Sequence, residues 1–104
     1  MRYNIILALE AIVDLNAFKA SVRAEIRDAI GEYLGHEPKK VSRTRIKRLR
    51  GLSRPQFRLR VGDDVRVFYD VSEKQVEVLA IVSKADAEEW LEKHGESDEK
   101  NSSD

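Results

Sequence analysis

The spacing of apolar side chains is helical over the first third of the chain. An apolar run at residues 3–9 comes first and predicts a short buried strand. Helical spacing over residues 9–18 and again over 22–34 predicts two helices, and the short connection between them predicts an antiparallel hairpin. Gly35 is expected to end the second helix in the left-handed conformation, and Pro38 prevents a restart. The apolar stripes are Leu9, Ile12, Val13 and Phe18 on the first helix, and Val22, Ile26, Ala29, Ile30, Tyr33 and Leu34 on the second.

Beyond residue 55 the pattern changes to the alternation of strands. Residues 56–61 and 65–71 alternate between apolar and polar side chains, which predicts two half-buried strands. Residues 75–82 are nearly all apolar and predict a central strand covered on both faces. The connection before them, residues 36–55, is basic and poor in apolar side chains, with one helical turn expected around residues 44–50. A last helix is expected over residues 85–93, with Ala87, Trp90 and Leu91 facing inward.

This order of elements predicts an α+β fold in which a strand and a helix hairpin pack on an antiparallel β-meander that a short helix follows. The length of 104 residues allows one domain, which we place at residues 1–95. Residues 96–104 have no apolar side chain and are expected to form a disordered acidic and polar tail. The chain shows no membrane span or targeting segment, so we expect a cytoplasmic protein that does not bind membranes.

A formal net charge of zero conceals a strong charge asymmetry along the chain. Residues 39–66 hold 11 basic and 2 acidic side chains, whereas the segments on either side are net acidic. The middle of the chain should therefore form a basic patch on an otherwise acidic molecule. The chain has no cysteine, which excludes disulfides, thiolate metal sites and a cysteine nucleophile.

The register of the first two meander strands decides where the arginines lie. A two-residue loop would place Arg60 opposite Val65, on mismatched faces. A three-residue loop pairs Arg60 with Arg66 and collects the apolar side chains of both strands on the other face. The three-residue loop therefore puts Arg58, Arg60 and Arg66 together, and we call this group the arginine face. Further basic residues precede it at Arg43, Arg45, Lys47, Arg48, Arg50 and Arg54.

A charged outer face of a sheet is most often merely solvated. Here the cluster is entirely arginine and of one sign, which is costly unless an anionic partner is present. Arginine is favoured where planar, bidentate contacts to phosphate are needed. The arginine face therefore predicts binding to a nucleic-acid backbone.

The same residues resemble a known family. Residues 47–52 read KRLRGL, residues 57–63 read FRLRVGD and residues 65–69 read VRVFY, which together resemble the RelE/ParE toxin superfamily over residues 2 to 93. The resemblance implies the toxin of a type II toxin–antitoxin pair, held in a hetero-oligomer by an acidic cognate antitoxin. In the RelE branch it implies ribosome-dependent cleavage of mRNA that needs no metal or other cofactor.

Such cleavage needs in-line attack of a ribose 2′-oxygen on phosphorus, charge stabilisation on the phosphorane and two proton transfers. The resemblance places Arg58 and Arg60 at strand positions that are basic in RelE-type toxins, and Arg66 at a catalytic arginine position. Lys84 is the remaining basic candidate after the last strand, because Ala85 stands where relatives carry arginine. No tyrosine follows, so the general acid and base stay unassigned. The expected RNA-binding residues are Lys47, Arg48, Arg50, Arg54 and Trp90.

Other chemistry is less well supported by the residues. Trp90 at helical spacing is more often a core residue than a base-stacking one, and Tyr69 falls on the inward alternation. Asp70 shares a face with Arg66 and is a candidate partner for it. His36 and His94 read as surface histidines and lack the spacing of a metal site. The missing C-terminal arginine and tyrosine leave two alternatives open: a ParE-like inhibitor of DNA gyrase, and a weakly active relative that mainly binds its antitoxin.

Overall fold

The computed structural model describes residues 2–97. The N-terminal half contains strand β1 (Asn4–Leu7), helix α1 (Leu9–Asn16) and helix α2 (Ala20–Ala29), which continues as a π-helical turn (Ile30–Leu34). The C-terminal half contains β2 (Ile46–Arg48), β3 (Leu52–Arg54), β4 (Phe57–Val61), β5 (Val65–Ser72), β6 (Gln75–Ser83), α3 (Lys84–His94) and β7 (Glu96–Ser97). The predicted α+β fold, with its helix hairpin, meander and C-terminal helix, is confirmed.

Five strands form the main sheet, in the order β1-β6-β5-β4-β2. The meander β4-β5-β6 is antiparallel, and β2 extends it antiparallel to β4. β1 pairs in parallel with the other side of β6. As predicted, β6 is an interior strand with buried side chains on both faces, and β2 adds a strand beyond β4 that the sequence did not predict. β3 and β7 form a separate two-stranded sheet.

The hydrophobic core lies between α1, α2 and one face of the main sheet. The stripe predicted on the second helix is confirmed, with Ile26 and Leu34 fully buried. Tyr69 is also fully buried, and its hydroxyl donates a hydrogen bond to the carbonyl of Pro38 at 2.6 Å. This bond ties the loop after α2 to the centre of the sheet and confirms Tyr69 as a core residue.

Helix α1 presents a different face to the core from the predicted stripe. Leu9, Ile12 and Val13 are 78%, 42% and 68% exposed, whereas Ala11 and Leu15 are buried. The helix therefore has two apolar stripes, and the sequence pattern alone does not show which one is buried.

A tertiary hydrogen bond explains this orientation. The pairing of β1 with β6 ends at Val78, so the backbone of β6 beyond that residue has no neighbouring strand on this side. The Asp14 carboxylate accepts a hydrogen bond from the N–H of Ile81 at 2.9 Å and satisfies that edge. With Asp14 turned toward the sheet, the stripe of Ala11 and Leu15 faces the core.

Three local expectations differ from the structure. The helical turn expected around residues 44–50 is instead strand β2, because Ile46 is buried in the core beside Leu59, its partner on β4. β1 was expected to be buried, but it lies at the edge of the sheet and exposes every second residue. Gly35 has φ −73° rather than the left-handed conformation; a Cβ there would lie 2.6 Å from the carbonyl oxygen of Gly31, so close approach requires the glycine.

The C-terminal end differs from the predicted tail at its first two residues. Glu96 and Ser97 form β7 and pair with β3. The hydroxyl of Ser53 also donates to the carbonyl of Glu96 at 3.2 Å. The rest of the predicted tail lies outside the described residues. Within residues 2–97, no helix has the length and apolar character needed to cross a membrane.

Candidate nucleic-acid interface

The turn between β4 and β5 brings the arginines together. It has three residues, so Arg60 pairs with Arg66 and Val61 with Val65, as the alternation predicted. Gly62 has φ +59°, a left-handed conformation that favours glycine and lets the chain reverse. Strand alternation then places Arg58 on the same side as the Arg60–Arg66 pair, on the sheet face opposite α1 and α2.

Arg66 is the most deeply buried member of the arginine face. It is only 8% exposed, and its Nη1 donates to the carbonyls of Asp63 at 3.2 Å and Val65 at 3.0 Å. Both acceptors are neutral, so the geometry fixes the guanidinium without cancelling its charge. Arg66 was a candidate partner for Asp70, but Asp70 binds Arg54 instead.

The side chain of Arg58 has no hydrogen-bond or ion-pair partner among residues 2–97, and its Nε is buried. Burial, followed by the charges of Arg66 and then Arg60, lowers the pKa of Arg58 below its ordinary value. A buried donor without an acceptor is costly, and nearby like charges add to that cost. A bound anion beside the guanidinium would offset the repulsion from the neighbouring arginines.

Arg60 differs from the other two members because a carboxylate already binds it. Its Nη2 lies 2.7 Å from the Oδ1 of Asp63, and its Nε donates to the carbonyl of Gly62 at 3.0 Å. Asp63 is exposed, so this ion pair is open to exchange with an external anion. Asp63 lies in the three-residue loop, and its spacing of three from Arg60 is the sequence signal that could have indicated the contact.

The basic residues of β2 do not all join the arginine face. Lys47 pairs with Arg58 in the register and therefore lies on its side of the sheet. Arg48 lies on the helix-facing side, with its guanidinium carbon 5.3 Å from the centre of the Phe57 ring. Arg50 is exposed after the strand. Of the predicted RNA-binding residues in this segment, Lys47 extends the arginine face directly.

Arg54 belongs to a separate charge network at the other end of the outer face. Its Nη1 lies 3.3 Å from Oδ2 of Asp70 and 3.8 Å from Oε1 of Glu77. Asp70 also accepts the backbone N–H of Gln56 at 2.8 Å, and Gln56 in turn accepts the N–H of Val71 at 3.0 Å. Arg54 is thus already neutralised. The role of Gln56 had no signal in the sequence.

Burial raises the pKa of Asp70 above its ordinary value of 3.8. The hydrogen bond from Gln56 and the charge of Arg54 oppose that rise, while Glu77 and Glu96 add to it. The net direction is upward, so desolvation of this carboxyl outweighs its stabilising partners.

Helix α3 covers the middle of the outer face. Phe68, the cross-strand partner of Arg58, is fully buried and stacks on Trp90, with the ring centres 5.1 Å apart and the ring planes 7° from parallel. His94 lies 5.1 Å from the same indole. Trp90 therefore packs as a cover of the sheet, next to the arginine face, and contacts with Phe68 occupy part of its surface.

Lys84 lies where the last strand turns into α3. It is the first residue of the helix, its side chain is exposed, and its backbone N–H donates to the carbonyl of Asp64 at 2.6 Å. Ser83 caps the helix by accepting the N–H of Asp86. Because Ser83 pairs with Val65, Lys84 begins the helix beside the strand end that carries Arg66.

The structure gives no further support to a role for the histidines in metal binding. His36 and His94 are both exposed. Across residues 2–97, no group of three or more His, Cys, Asp or Glu side chains is placed to hold a metal ion. The arrangement is instead suited to binding an anion through guanidinium groups.

Comparison with known proteins identifies the fold. No protein-family model matches the sequence, and no curated protein matches it. Among solved structures, a chain of the toxin–antitoxin complex RelBE2 from Mycobacterium tuberculosis superposes with a TM-score of 0.64 at 22% identity, over 81% of this chain and 100% of that chain. A chain of the archaeal RelE–RelB complex from Pyrococcus horikoshii gives 0.65 at 21% identity, over 81% and 97% of the respective chains.

A third match comes from a chain of the RelB–RelE antitoxin–toxin complex of Methanococcus jannaschii. It has a TM-score of 0.61 at 18% identity and covers 83% of this chain and 98% of that chain. The protein therefore has the RelE-like fold that the residue pattern indicated.

Proposed function

We propose that this protein is the toxin of a type II toxin–antitoxin pair and that its arginine face binds the phosphate backbone of RNA. The observation that carries the proposal is that Arg58 and Arg66 are gathered on a RelE-like sheet and have no carboxylate partner among residues 2–97. Clustering uncompensated cations is unfavourable in the free protein and becomes favourable when a polyanion binds. The structures of similar fold come from toxin–antitoxin complexes, which supports the same assignment.

The activity that we propose is ribosome-dependent cleavage of mRNA without a metal. Arg58 and Arg66 would contact the scissile phosphate and stabilise the charge that develops on its oxygens. Arginines stay protonated and are poor bases, so proton transfer must come from elsewhere. Lys84 is the candidate on this chain for that step. Arg60 would join the site when the phosphate displaces Asp63.

The remaining basic and aromatic candidates would bind RNA around this centre. Lys47 and Arg50 would contact the flanking backbone. Arg54 would contribute only after exchange with Asp70, and Trp90 only through the part of its ring that Phe68 leaves uncovered. The antitoxin that we propose is an acidic protein that covers the arginine face in a cytoplasmic complex.

The test is induced expression without antitoxin, followed by primer extension on cellular mRNA. We expect growth arrest together with cuts at fixed positions within codons. Arg58→Ala and Arg66→Ala should lower cutting by at least 100-fold, the scale of losing one charge-stabilising donor at about 3 kcal/mol. Lys74→Ala removes an exposed cation from the β5–β6 turn and should cut like the wild type. Growth arrest with no positioned cuts would contradict the nuclease proposal.

A second candidate function is supported by the same site. Ala85 follows Lys84 at the start of α3, and Asp63 holds Arg60, so the groups that could transfer protons or add charge are few. This favours a weakly active relative that mainly binds its antitoxin. Expression that does not arrest growth would support that candidate, whereas arrest with inhibited DNA supercoiling would indicate a gyrase-directed toxin.

A further inference from the structure

Basic side chains continue around the edge of the sheet, away from the arginine face. β2 is an edge strand, and it carries Lys47 on the outer face and Arg48 on the helix-facing side. Arg45, one residue before the strand, has its guanidinium carbon 5.0 Å from the centre of the Tyr33 ring, on α2's side of the sheet. We call Arg45 and Arg48 the stacked arginine pair, because each guanidinium lies over an aromatic ring.

The stacked arginine pair is exposed, and no direct ion pair neutralises it within residues 2–97. Within residues 2–97 neither arginine forms an ion pair; the Nη1 of Arg48 donates to the carbonyls of Gln56 at 2.9 Å and Leu49 at 3.3 Å. Each cation–π contact favours this position of the guanidinium and leaves further N–H donors at its exposed rim. The pair is therefore preorganised for an anion that approaches from the β2 side.

The backbone of β2 is already hydrogen-bonded on its open edge at Ile46. The backbones of Arg45 and Leu49 bond to Arg60 and Gln56 on the β4 side, so the backbone groups of Ile46 point to the open edge. Ser42 satisfies them: its N–H donates to the carbonyl of Ile46 at 2.9 Å, and its hydroxyl accepts the N–H of Ile46 at 3.3 Å. An added strand would have to break these bonds. The backbone groups of Arg48 also point to this edge, so Ser42 closes it to an added strand only at Ile46.

We propose that the stacked arginine pair is a second anion-binding surface, which takes the sugar–phosphate backbone of folded RNA. The proposal rests on the proposed function, since it assumes that the arginine face meets RNA. The two surfaces face opposite sides of one sheet edge. A folded RNA presents phosphate backbones in several directions and can contact both, whereas an extended strand on the arginine face contacts one.

Neighbouring carboxylates define the limit of this surface. Glu32 and Glu37 line the cleft of about 260 Å³ between Tyr33 and Arg45. The Oε1 of Glu37 lies 3.6 Å from the Nζ of Lys40 and forms an ion pair with it. These acidic groups disfavour a phosphate inside the cleft. The RNA backbone should therefore follow the outer rim formed by β2.

The test measures binding of the full chain to a fluorescein-labelled RNA hairpin and to an unstructured RNA strand of equal length, by fluorescence anisotropy over a series of KCl concentrations. Arg45→Gln/Arg48→Gln should weaken hairpin binding at least fivefold. It should also make the slope of log K against log salt shallower by roughly 0.7 to 0.9 for each phosphate that the variant no longer neutralises. Binding of the unstructured strand should change by less than twofold.

Matched variants separate this effect from net charge and from misfolding. Lys19→Gln/Lys74→Gln removes the same charge from exposed positions and should bind the hairpin within twofold of the wild type. Arg45→Lys/Arg48→Lys retains the charge but loses the planar stacking, and should fall between the wild type and the glutamine variant. Circular dichroism should show the same fold for all of them.

The outcomes distinguish this inference from the proposed function. Unchanged hairpin binding and salt slope in the glutamine pair variant, with binding weakened by Arg58→Gln, would overturn the second surface and leave the proposed function intact. Equal weakening by the Lys19 and Lys74 control would also overturn it. If the pair variant instead loses affinity only for the protein encoded beside the toxin, the surface binds an acidic protein and the inference is wrong. A wild type that binds neither RNA would contradict both proposals.

Discussion

At the scale of single residues, the arginines of this chain differ by what surrounds them. Arg54 and Arg60 each have an aspartate within 3.3 Å, whereas the charges that lower the pKa of Arg58 are those of Arg66 and Arg60, which have its own sign. The sequence shows all of them as equivalent basic positions, because ion pairing depends on distant segments. Asp70, which binds Arg54, is 16 residues away in the chain. Only the structure separates cations with a partner from those without one.

The Asp70 carboxyl should make stability depend on pH in an unusual direction. Its pKa is raised in the folded state, so the folded protein binds this proton more tightly than the unfolded chain does. The stabilising contribution is therefore complete below the ordinary value of 3.8 and is lost as the pH rises through the raised pKa. Asp70→Asn keeps an acceptor for Gln56 but does not titrate. The free energy of unfolding of the wild type minus that of Asp70→Asn should decrease across this window and be constant above it.

Chemical denaturation at a series of pH values measures that difference directly. Asp28→Asn provides the background, because Asp28 is an exposed carboxylate of α2. A difference that increases with pH for Asp70→Asn would mean that the Arg54 contact and the Gln56 hydrogen bond outweigh burial.

At the scale of elements, the sequence predicted what depends on local period and failed where a tertiary contact decides. The pairing of β4 with β5 was predictable, because a period of two and a turn of three residues admit only one register that buries one apolar face. The buried face of α1 was not predictable, because two stripes compete and the bond from Ile81 to Asp14 selects one. β2 was missed for a similar reason, since a short basic segment becomes a strand only by pairing with β4.

In the candidate site, too, the local period of the sequence predicted some positions, and tertiary contacts decided the others. The alternation predicted that Arg58, Arg60 and Arg66 share a face, and the register agrees. It could not place Arg48, because β2 itself was not predicted, and Arg48 lies on the other side of the sheet. Nor could it show that Phe68 lies under Trp90, since that stacking depends on how α3 folds back over the sheet.

Substitution in the buried stripe of α1 should lower the free energy of unfolding, whereas substitution in its exposed stripe should leave that free energy almost unchanged. Leu15→Ala removes a buried side chain and should lower the free energy of unfolding by about 3 kcal/mol. Leu9→Ala removes a side chain that is 78% exposed and should change it by less than about 0.5 kcal/mol. Urea denaturation of both variants measures the two values. Similar losses would show that the exposed stripe is covered in solution.

At the scale of the whole molecule, a net charge of zero is divided into a basic surface and an acidic remainder. Asp63 binds Arg60, but Arg58 and Arg66 have no carboxylate partner among residues 2–97, and the charges of Arg66 and Arg60 disfavour the charge of Arg58. A protein selected only for stability would not keep such a cluster. The cost is instead consistent with a surface whose stable state includes a bound anion.

Arg58→Met should therefore make the free protein more stable and the complex with RNA weaker. Methionine keeps most of the apolar stem, removes the buried Nε that has no partner in the described part of the chain, and relieves the repulsion from Arg66 and Arg60. Removing one unsatisfied buried donor should raise the free energy of unfolding by about 1 kcal/mol.

Added inorganic phosphate should raise the melting temperature of the wild type more than that of the variant at equal ionic strength, because only the wild type retains the full anion site. Differential scanning calorimetry with and without phosphate, and anisotropy with labelled RNA, measure both effects. A less stable Arg58→Met variant would show that the fold itself needs this guanidinium, and the face would then be structural rather than a binding surface.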